Sequence, residues 1–116
     1  MAVMRRGEVW VANLNPNRGA EAGKIRPVVI LQADHLLGGE LETVFVAPLT
    51  SQVRPRVAPL RVTIPARDRL RRDCQVMVDQ TRALDHRRIG DGPLSRLAPE
   101  ELAAVERSLR AALGLL

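Results

Sequence analysis

Apolar residues in the first half of the chain fall in short runs bounded by turn-forming residues. Residues 8–13 and residues 42–49 both have the composition and spacing of β-strands. Between them, residues 27–32 contain the run Val-Val-Ile-Leu, which predicts a strand buried on both faces. Pro27 is expected at the first position of that strand, because proline cannot donate to a ladder, and Pro48 is expected to end the regularity of the next one.

The second half changes from strand to helix patterning. Short strands are predicted at residues 61–64, 75–79 and 81–84. From Pro99 onward, apolar residues recur at helical spacing, at Leu102, Val105, Leu109, Ala112, Leu113 and Leu116. Closely spaced short strands favour a small or partly open barrel. We therefore predict a mainly β protein with a C-terminal α-helix that closes one end of the barrel, in a single domain spanning residues 1–116.

Composition places the chain among globular proteins, since 46% of its residues are hydrophobic and 27% are charged. No apolar run reaches the length of a membrane span, and the N-terminus lacks a signal-type apolar segment, so we expect no membrane association. The single cysteine, Cys74, shares the strand parity of Val76 and Val78, which predicts a packed core thiol. One unpaired thiol agrees with a reducing compartment, and the predicted location is the cytoplasm.

Positive charge is concentrated in one segment. The chain carries a formal net charge of +5, and residues 54–72 alone contain seven arginines and one acidic residue, Asp68. Such a band is typical of a protein that binds a polyanion, and it favours nucleic acid over a membrane surface. The alternative is a solvated face in an arginine-favouring genome, since Lys24 is the only lysine.

Motifs for several common chemistries are missing from the sequence. The two histidines, His35 and His86, lie among loop-type residues without metal-ligand spacing, so we predict neither a metal nor a cofactor. Phosphate-loop, dinucleotide-binding and hydrolase-elbow motifs are absent too. Trp10 and Phe45 are too few to form an aromatic stacking platform, so a bound nucleic acid would be held by arginine and polar groups.

Polar residues remain at the ends of three predicted strands. Arg26 precedes the second strand, where a rigid backbone can hold a guanidinium that grips phosphate. The other candidates are Glu21, Thr50, Ser51, Gln52, Asp79 and Gln80. Together an arginine, a hydroxyl and a carboxylate suffice for cleavage of RNA by its own 2′-OH, because the substrate supplies the nucleophile. Taken singly, Arg26 also fits a surface residue, and Thr50 and Ser51 also fit turn formers.

Longer strings of residues resemble one known family. They are residues 6–10, then Asn15, Pro16, Gly19, Glu21 and Gly23, then residues 26–31, 48–51 and 76–85. In this order they resemble the MazF/PemK toxins, and the likeness runs from Arg5 to about Leu113. It implies an SH3-like β-barrel of the MazF/PemK/CcdB toxin type, a homodimer, and a metal-independent endoribonuclease that cuts single-stranded mRNA at short motifs. A cognate antitoxin protein is implied as a partner.

The same resemblance implies roles for individual residues. Arg26 and Thr50 occupy the family's catalytic positions, Arg26 as the phosphate clamp and proton donor or electrostatic stabiliser, and Thr50 as the hydroxyl that orients the phosphate. The residues expected to bind RNA are Glu21, Lys24, Ser51, Gln52, Arg54, Asp79 and Gln80. The family often has Glu where this chain has Asp79. Cleavage would leave a 2′,3′-cyclic phosphate and a 5′-hydroxyl.

Two other function classes stay open at this point. One is a toxin of related fold that binds DNA gyrase and does not cut RNA, which would not need the pair Arg26 and Thr50. The other is a basic RNA-binding module without activity.

Overall fold

The computed structural model describes residues 3–54 and 60–115. Within these residues, seven β-strands are followed by one α-helix. They are β1 (Glu8–Asn13), β2 (Ile25–Ile30), β3 (Thr43–Thr50), β4 (Arg61–Ile64), β5 (Cys74–Met77), β6 (Arg82–Asp85), β7 (Ser95–Arg96) and α1 (Pro99–Leu113). Arg56 of the basic band and Leu116 of the helical pattern lie outside the described residues.

Antiparallel pairing joins the strands in the order β4-β5-β3-β2-β1-β7, with β6 also paired to β3. The long strand β3 pairs with β2 along one edge. Along its other edge it pairs first with β6, at positions 43–46, and then with β5, at positions 49–50. The sheet curls into a half-barrel around this division. The predicted class, mainly β with a C-terminal helix, is confirmed.

The central strands are buried on both faces, as the apolar run in β2 predicts. On one face, Val29 packs with Val9 and with Val105 of α1. On the other, Val28 packs with Trp10 in a second cluster. Because neighbouring side chains of a strand point to opposite faces, one continuous apolar run fills both cores and holds β2 rigidly.

The helix α1 begins at Pro99, as predicted, and packs against β4 and the turn Val78–Gln80. Oε1 of Glu101 accepts a hydrogen bond from the Ala98 N–H at 2.7 Å, which satisfies one of the free donors at the helix start. Leu113, at the end of the apolar stripe, is exposed. Among the described residues, no helix combines the length and the apolar character needed to cross a bilayer.

Both proline predictions are wrong. Pro27 is the third residue of β2, where it pairs with Val11 of β1 and precedes the first β2–β3 pair, at Val28. Pro48 lies inside β3, between the positions paired with β6 and those paired with β5. Along the edge shared by β5 and β6, no described residue pairs with Pro48, so its missing N–H leaves the ladder intact.

The predicted strand at residues 75–79 is also shifted. It begins at Cys74, which is buried as expected, and ends at Met77. Val78–Gln80 then form a 3₁₀ turn, because the N–H and the hydroxyl of Thr81 both donate to the Val78 carbonyl, at 3.2 and 2.8 Å. The next strand accordingly starts at Arg82 and not at residue 81.

Candidate active site

Arg26 lies in the second position of β2 with a half-buried side chain. Its Nε donates to the Gly23 carbonyl at 2.8 Å, and one terminal nitrogen lies 3.5 Å from the Leu49 carbonyl. Backbone oxygens therefore orient the guanidinium from two sides. Because a guanidinium has five N–H donors, several remain for a ligand.

Thr50 is the last residue of β3 and pairs with Gln75 of β5. Val28 and Pro48 are partners in the β2–β3 register, and extending that register by two residues puts Thr50 opposite Arg26. The Thr50 hydroxyl oxygen accepts a hydrogen bond from the Gln52 N–H at 3.1 Å. Its own hydrogen can therefore point toward a ligand beside the guanidinium.

Two clefts meet at this pair of residues, and Arg26, Thr50 and Gln52 line both. The larger, here called the cationic cleft, has a volume of about 480 Å³. Its further walls include Lys24, Ser51, Arg69, Leu70, Arg71 and Arg72. The smaller, here called the side cleft, has a volume of about 200 Å³. Its further walls are Ala20, Ala22, Arg54, Arg61, Met77 and Gln80.

No acidic residue is among the described residues that line either cleft, but acidic groups just outside neutralise one arginine in each. In the side cleft, Arg61 pairs with Asp79 through two contacts of 3.2 and 3.3 Å. In the cationic cleft, Arg69 forms an exposed ion pair with Asp91. The remaining cations of the cationic cleft have no ion pair among residues 3–54 and 60–115.

Most of the predicted RNA-binding residues come together with Arg26 and Thr50. Those that line a cleft are Lys24, Ser51, Gln52, Arg54 and Gln80. Two do not. Glu21 accepts a hydrogen bond from the Arg18 N–H at 2.9 Å within its own loop, and Asp79 reaches the side cleft only through its pair with Arg61.

The Gln80 side chain is engaged within the protein. Its Oε1 accepts from the Ala22 N–H at 3.3 Å, and its Nε2 donates to the Ala20 carbonyl at 3.1 Å. Both groups belong to the loop between β1 and β2. Gln80 therefore fixes the loop that forms one wall of the side cleft.

Gln75, which is not among the residues predicted from the sequence, holds the part of the side-cleft wall that Arg54 forms. This buried side chain accepts from the Arg54 N–H at 3.0 Å and donates to the Arg54 carbonyl at 3.2 Å. An amide inside the otherwise apolar strand β5 was the available signal, because buried polar groups are placed where they find partners.

Two pKa shifts bear on the cationic cleft. Burial raises the pKa of the Cys74 thiol, which disfavours the thiolate and with it a nucleophilic role for this residue in the cleft wall. The side-chain hydrogen bond from Arg67 lowers the pKa of Glu101. That pair joins the loop carrying Arg69 to Arg72 to the start of α1.

The site thus offers a fixed guanidinium, a hydroxyl and a cationic surface, the groups that hold and polarise a phosphodiester. Within the described ranges, no group of three or more His, Cys, Asp or Glu side chains could hold a metal ion.

Residues 5–113 match the family model of PemK-like, MazF-like toxins of type II toxin–antitoxin systems. The chain belongs to this toxin family. It is 36% identical over 115 residues to Endoribonuclease MazF of Staphylococcus saprophyticus subsp. saprophyticus. This alignment covers 97% of the present chain and 93% of the relative.

Solved MazF structures have the same fold. That of MazF from Deinococcus radiodurans matches with a TM-score of 0.83 at 29% identity, covering 99% of this chain and all of that one. A MazE–MazF structure from the same organism matches with a TM-score of 0.79 at 27% identity, with the same coverage. The predicted family and fold are confirmed, and so is the enzyme class, because the MazF toxins are endoribonucleases.

Proposed function

We propose that this protein is the toxin of a type II toxin–antitoxin pair and cuts single-stranded mRNA at a short sequence motif without a metal ion. In the proposed reaction, the 2′-oxygen of one nucleotide bonds to the adjacent phosphorus while the bond to the 5′-oxygen breaks. The 2′-oxygen loses its proton and the 5′-oxygen gains one. The products carry a 2′,3′-cyclic phosphate and a 5′-hydroxyl.

The observation that carries the proposal is the juxtaposition of Arg26 and Thr50 where the two clefts meet. Cleavage by the 2′-OH needs a held phosphate and groups that stabilise the charge developing on its oxygens. Arg26, whose Nε is anchored on Gly23, supplies the charge and hydrogen-bond donors in a fixed orientation. Thr50 orients the phosphate through its hydroxyl.

Other residues hold the RNA on both sides of the scissile bond. Lys24 and Ser51 act in the cationic cleft, Arg54 acts in the side cleft, and Gln52 acts in both. Gln80 acts through the loop that it holds. Glu21 is proposed to contact the RNA from its own loop, and Asp79 is proposed to act at the groove by holding Arg61.

An antitoxin is the proposed protein partner, and the similarity to a MazE–MazF structure supports it. An acidic segment of the antitoxin would compete with RNA for the cationic cleft. The protein is proposed to act as a homodimer in the cytoplasm. Light scattering on the purified protein measures the first of these two properties directly.

The test is cleavage of a diverse single-stranded RNA pool by the purified full chain in excess EDTA. We expect discrete cuts at one short motif, new 5′-ends that a kinase labels without prior phosphatase treatment, and no cutting at a site whose 2′-OH is replaced by hydrogen. Arg26→Ala should slow cutting by about 10²- to 10³-fold, and Thr50→Ala should slow it as well, while circular dichroism stays unchanged.

Two results would overturn the proposal in different ways. An RNA pool left intact by the wild type removes the nuclease activity and favours a toxin that acts by binding, such as one directed at gyrase. Continued cutting by Arg26→Ala at the wild-type rate removes the residue assignment and leaves the activity.

A further inference from the structure

The loop at residues 65–73 forms one wall of the cationic cleft and carries the consecutive, exposed residues Arg71 and Arg72. Neither guanidinium has an ion pair among the described residues. Arg69, in the same loop, differs because Asp91 neutralises it. The loop thus presents two uncompensated positive charges on the wall of the cleft that also contains Arg26 and Thr50.

This loop is held firmly at its base. Arg67 and Leu70 exchange two backbone hydrogen bonds of 2.9 and 2.8 Å, which close a tight turn around Asp68, a residue with a φ of 52°. The carboxylate of Asp68 accepts a hydrogen bond from the Ser95 hydroxyl at 2.8 Å. The Asp73 carboxylate accepts a hydrogen bond from the Ala66 N–H at 2.8 Å, which joins the two ends of the loop.

Charged contacts tie the same loop to α1 and β7. The Arg67 guanidinium makes a two-pronged contact with Glu101, one prong of which measures 2.8 Å, and donates to the Arg96 carbonyl at 3.0 Å. On either side of the two arginines, Leu70 and Cys74 are buried in the core. Arg71 and Arg72 are therefore presented from a backbone that is ordered before a ligand arrives, which lowers the entropic penalty of binding.

We propose that Arg71 and Arg72 form a phosphate-binding subsite for the nucleotides that flank the scissile bond on the cationic-cleft side. The inference rests on the proposed function, because it assumes that the RNA strand passes Arg26. Phosphate is the recognised group because no aromatic side chain is among the described residues that line the cleft, so bases find no stacking surface there. Guanidinium groups without acidic partners match phosphate oxygens in charge and geometry.

The experiment compares the full-length double variant Arg71→Ala/Arg72→Ala with a matched control, Arg107→Ala/Arg110→Ala. The control removes the same charge from exposed positions of α1, away from both clefts. Binding of a single-stranded 2′-O-methyl RNA of mixed sequence, which cannot be cut, is measured across a series of salt concentrations. Cleavage of ordinary RNA is measured in parallel.

For the Arg71/Arg72 variant we expect affinity about tenfold lower. The slope of log affinity against log salt should be shallower by about 1.4, since each lost phosphate contact removes about 0.7 on single strands. KM for cleavage should rise with kcat unchanged. Arg71→Lys/Arg72→Lys should recover most of the salt slope, because it restores the charge. The Arg107/Arg110 variant should match the wild type.

Equal losses in the Arg71/Arg72 variant and in the control would overturn the subsite, since total charge would then be the cause. An unchanged slope in the Arg71/Arg72 variant, or no RNA binding by the wild type, would overturn it as well. A further outcome is a wild type that binds 2′-O-methyl RNA with a steeper salt slope than the Arg71/Arg72 variant and yet cuts no RNA. That result would support the subsite and refute the proposed nuclease function.

Discussion

The cationic cleft and the side cleft share Arg26, Thr50 and Gln52 but differ in how much positive charge they leave available. Around the cationic cleft, Arg71 and Arg72 have no acidic partner among the described residues, whereas Arg61 in the side cleft is bound by Asp79. Free cations bind phosphate with an affinity that depends on salt, but a cation paired within the protein mostly shapes a wall. Among the described residues, the arginine-rich segment therefore leaves two free guanidinium groups, those of Arg71 and Arg72, on the cationic-cleft side, and one, that of Arg54, on the side-cleft side.

Their walls are held by different kinds of contact. Charged groups, Arg67 and Glu101, brace the loop of the cationic cleft. Neutral amides brace the side cleft, with Gln80 on the β1–β2 loop and Gln75 on the Arg54 backbone. Protonation of Glu101 at low pH weakens the Arg67–Glu101 contact, whereas the hydrogen bonds of Gln75 and Gln80 do not involve a titrating side chain.

The largest effect is expected from Arg26→Ala, because Arg26 belongs to both clefts. Removing the group that is proposed to stabilise the developing charge should lower kcat by about 10²- to 10³-fold. Single-turnover cleavage at saturating RNA measures this loss. Arg26→Lys keeps the charge but loses the paired N–H donors of the guanidinium, so its kcat should lie between that of the wild type and that of Arg26→Ala. If Arg26→Ala instead raises KM and leaves kcat unchanged, Arg26 binds RNA, as is proposed for Arg71, and does not take part in catalysis.

Local pattern accounts for the scaffold of this site better than for the site itself. The apolar run in β2 predicts its burial on both faces, and Pro99 marks the start of α1. The two-residue strand β7 has too few positions for any period to appear. Pro48 inside β3 depends on where β5 and β6 happen to pair, which no local pattern contains.

Individual side-chain partners depend on long-range contacts. Arg61 and Asp79 are 18 positions apart, and Gln80 reaches the carbonyl of Ala20 across 60 positions. In the sequence, Asp79 and Gln80 are polar residues at the end of a predicted strand. This position predicts that they lie at a groove, but it does not predict that Asp79 pairs with Arg61 or that Gln80 bonds to Ala20. The strand-end pattern already includes Arg26 and Thr50 among its candidates, and the resemblance to a family implies their catalytic roles. That they lie opposite each other across β2 and β3 follows only from the strand register.

An intermediate effect is expected from Glu101→Gln, which removes the charge of the pair bracing the cationic cleft. The side-chain hydrogen bond from Arg67 lowers the pKa of Glu101, so the pair stabilises the fold fully at pH values above the usual glutamate range, near 4.3. That stability is lost as the pH falls through the lowered pKa of the folded state. At pH 7 the variant should unfold with a free energy about 1–2 kcal/mol smaller than the wild type.

Urea denaturation at pH 7 and at successively lower pH measures this difference, which should shrink toward zero once Glu101 is protonated in the folded protein. Glu100→Gln is the matched control, because Glu100 is exposed in the same helical turn and makes no ion pair within the described residues. A difference that persists unchanged at the lowest pH would show that shape and not charge is responsible.

The smallest effect is expected from Asp79→Asn, which makes the side cleft resemble the cationic one. Freeing Arg61 should tighten binding of 2′-O-methyl RNA by a few-fold and steepen the salt slope by about 0.7, the contribution of one additional phosphate contact. Stability should change by no more than about 0.5 kcal/mol, because the Arg61–Asp79 pair is partly exposed. Asp79→Asn combined with Arg61→Ala should lose the gain. If Asp79 instead contacts RNA itself, the single variant will bind more weakly than the wild type, and the restraint of Arg61 will not be its role.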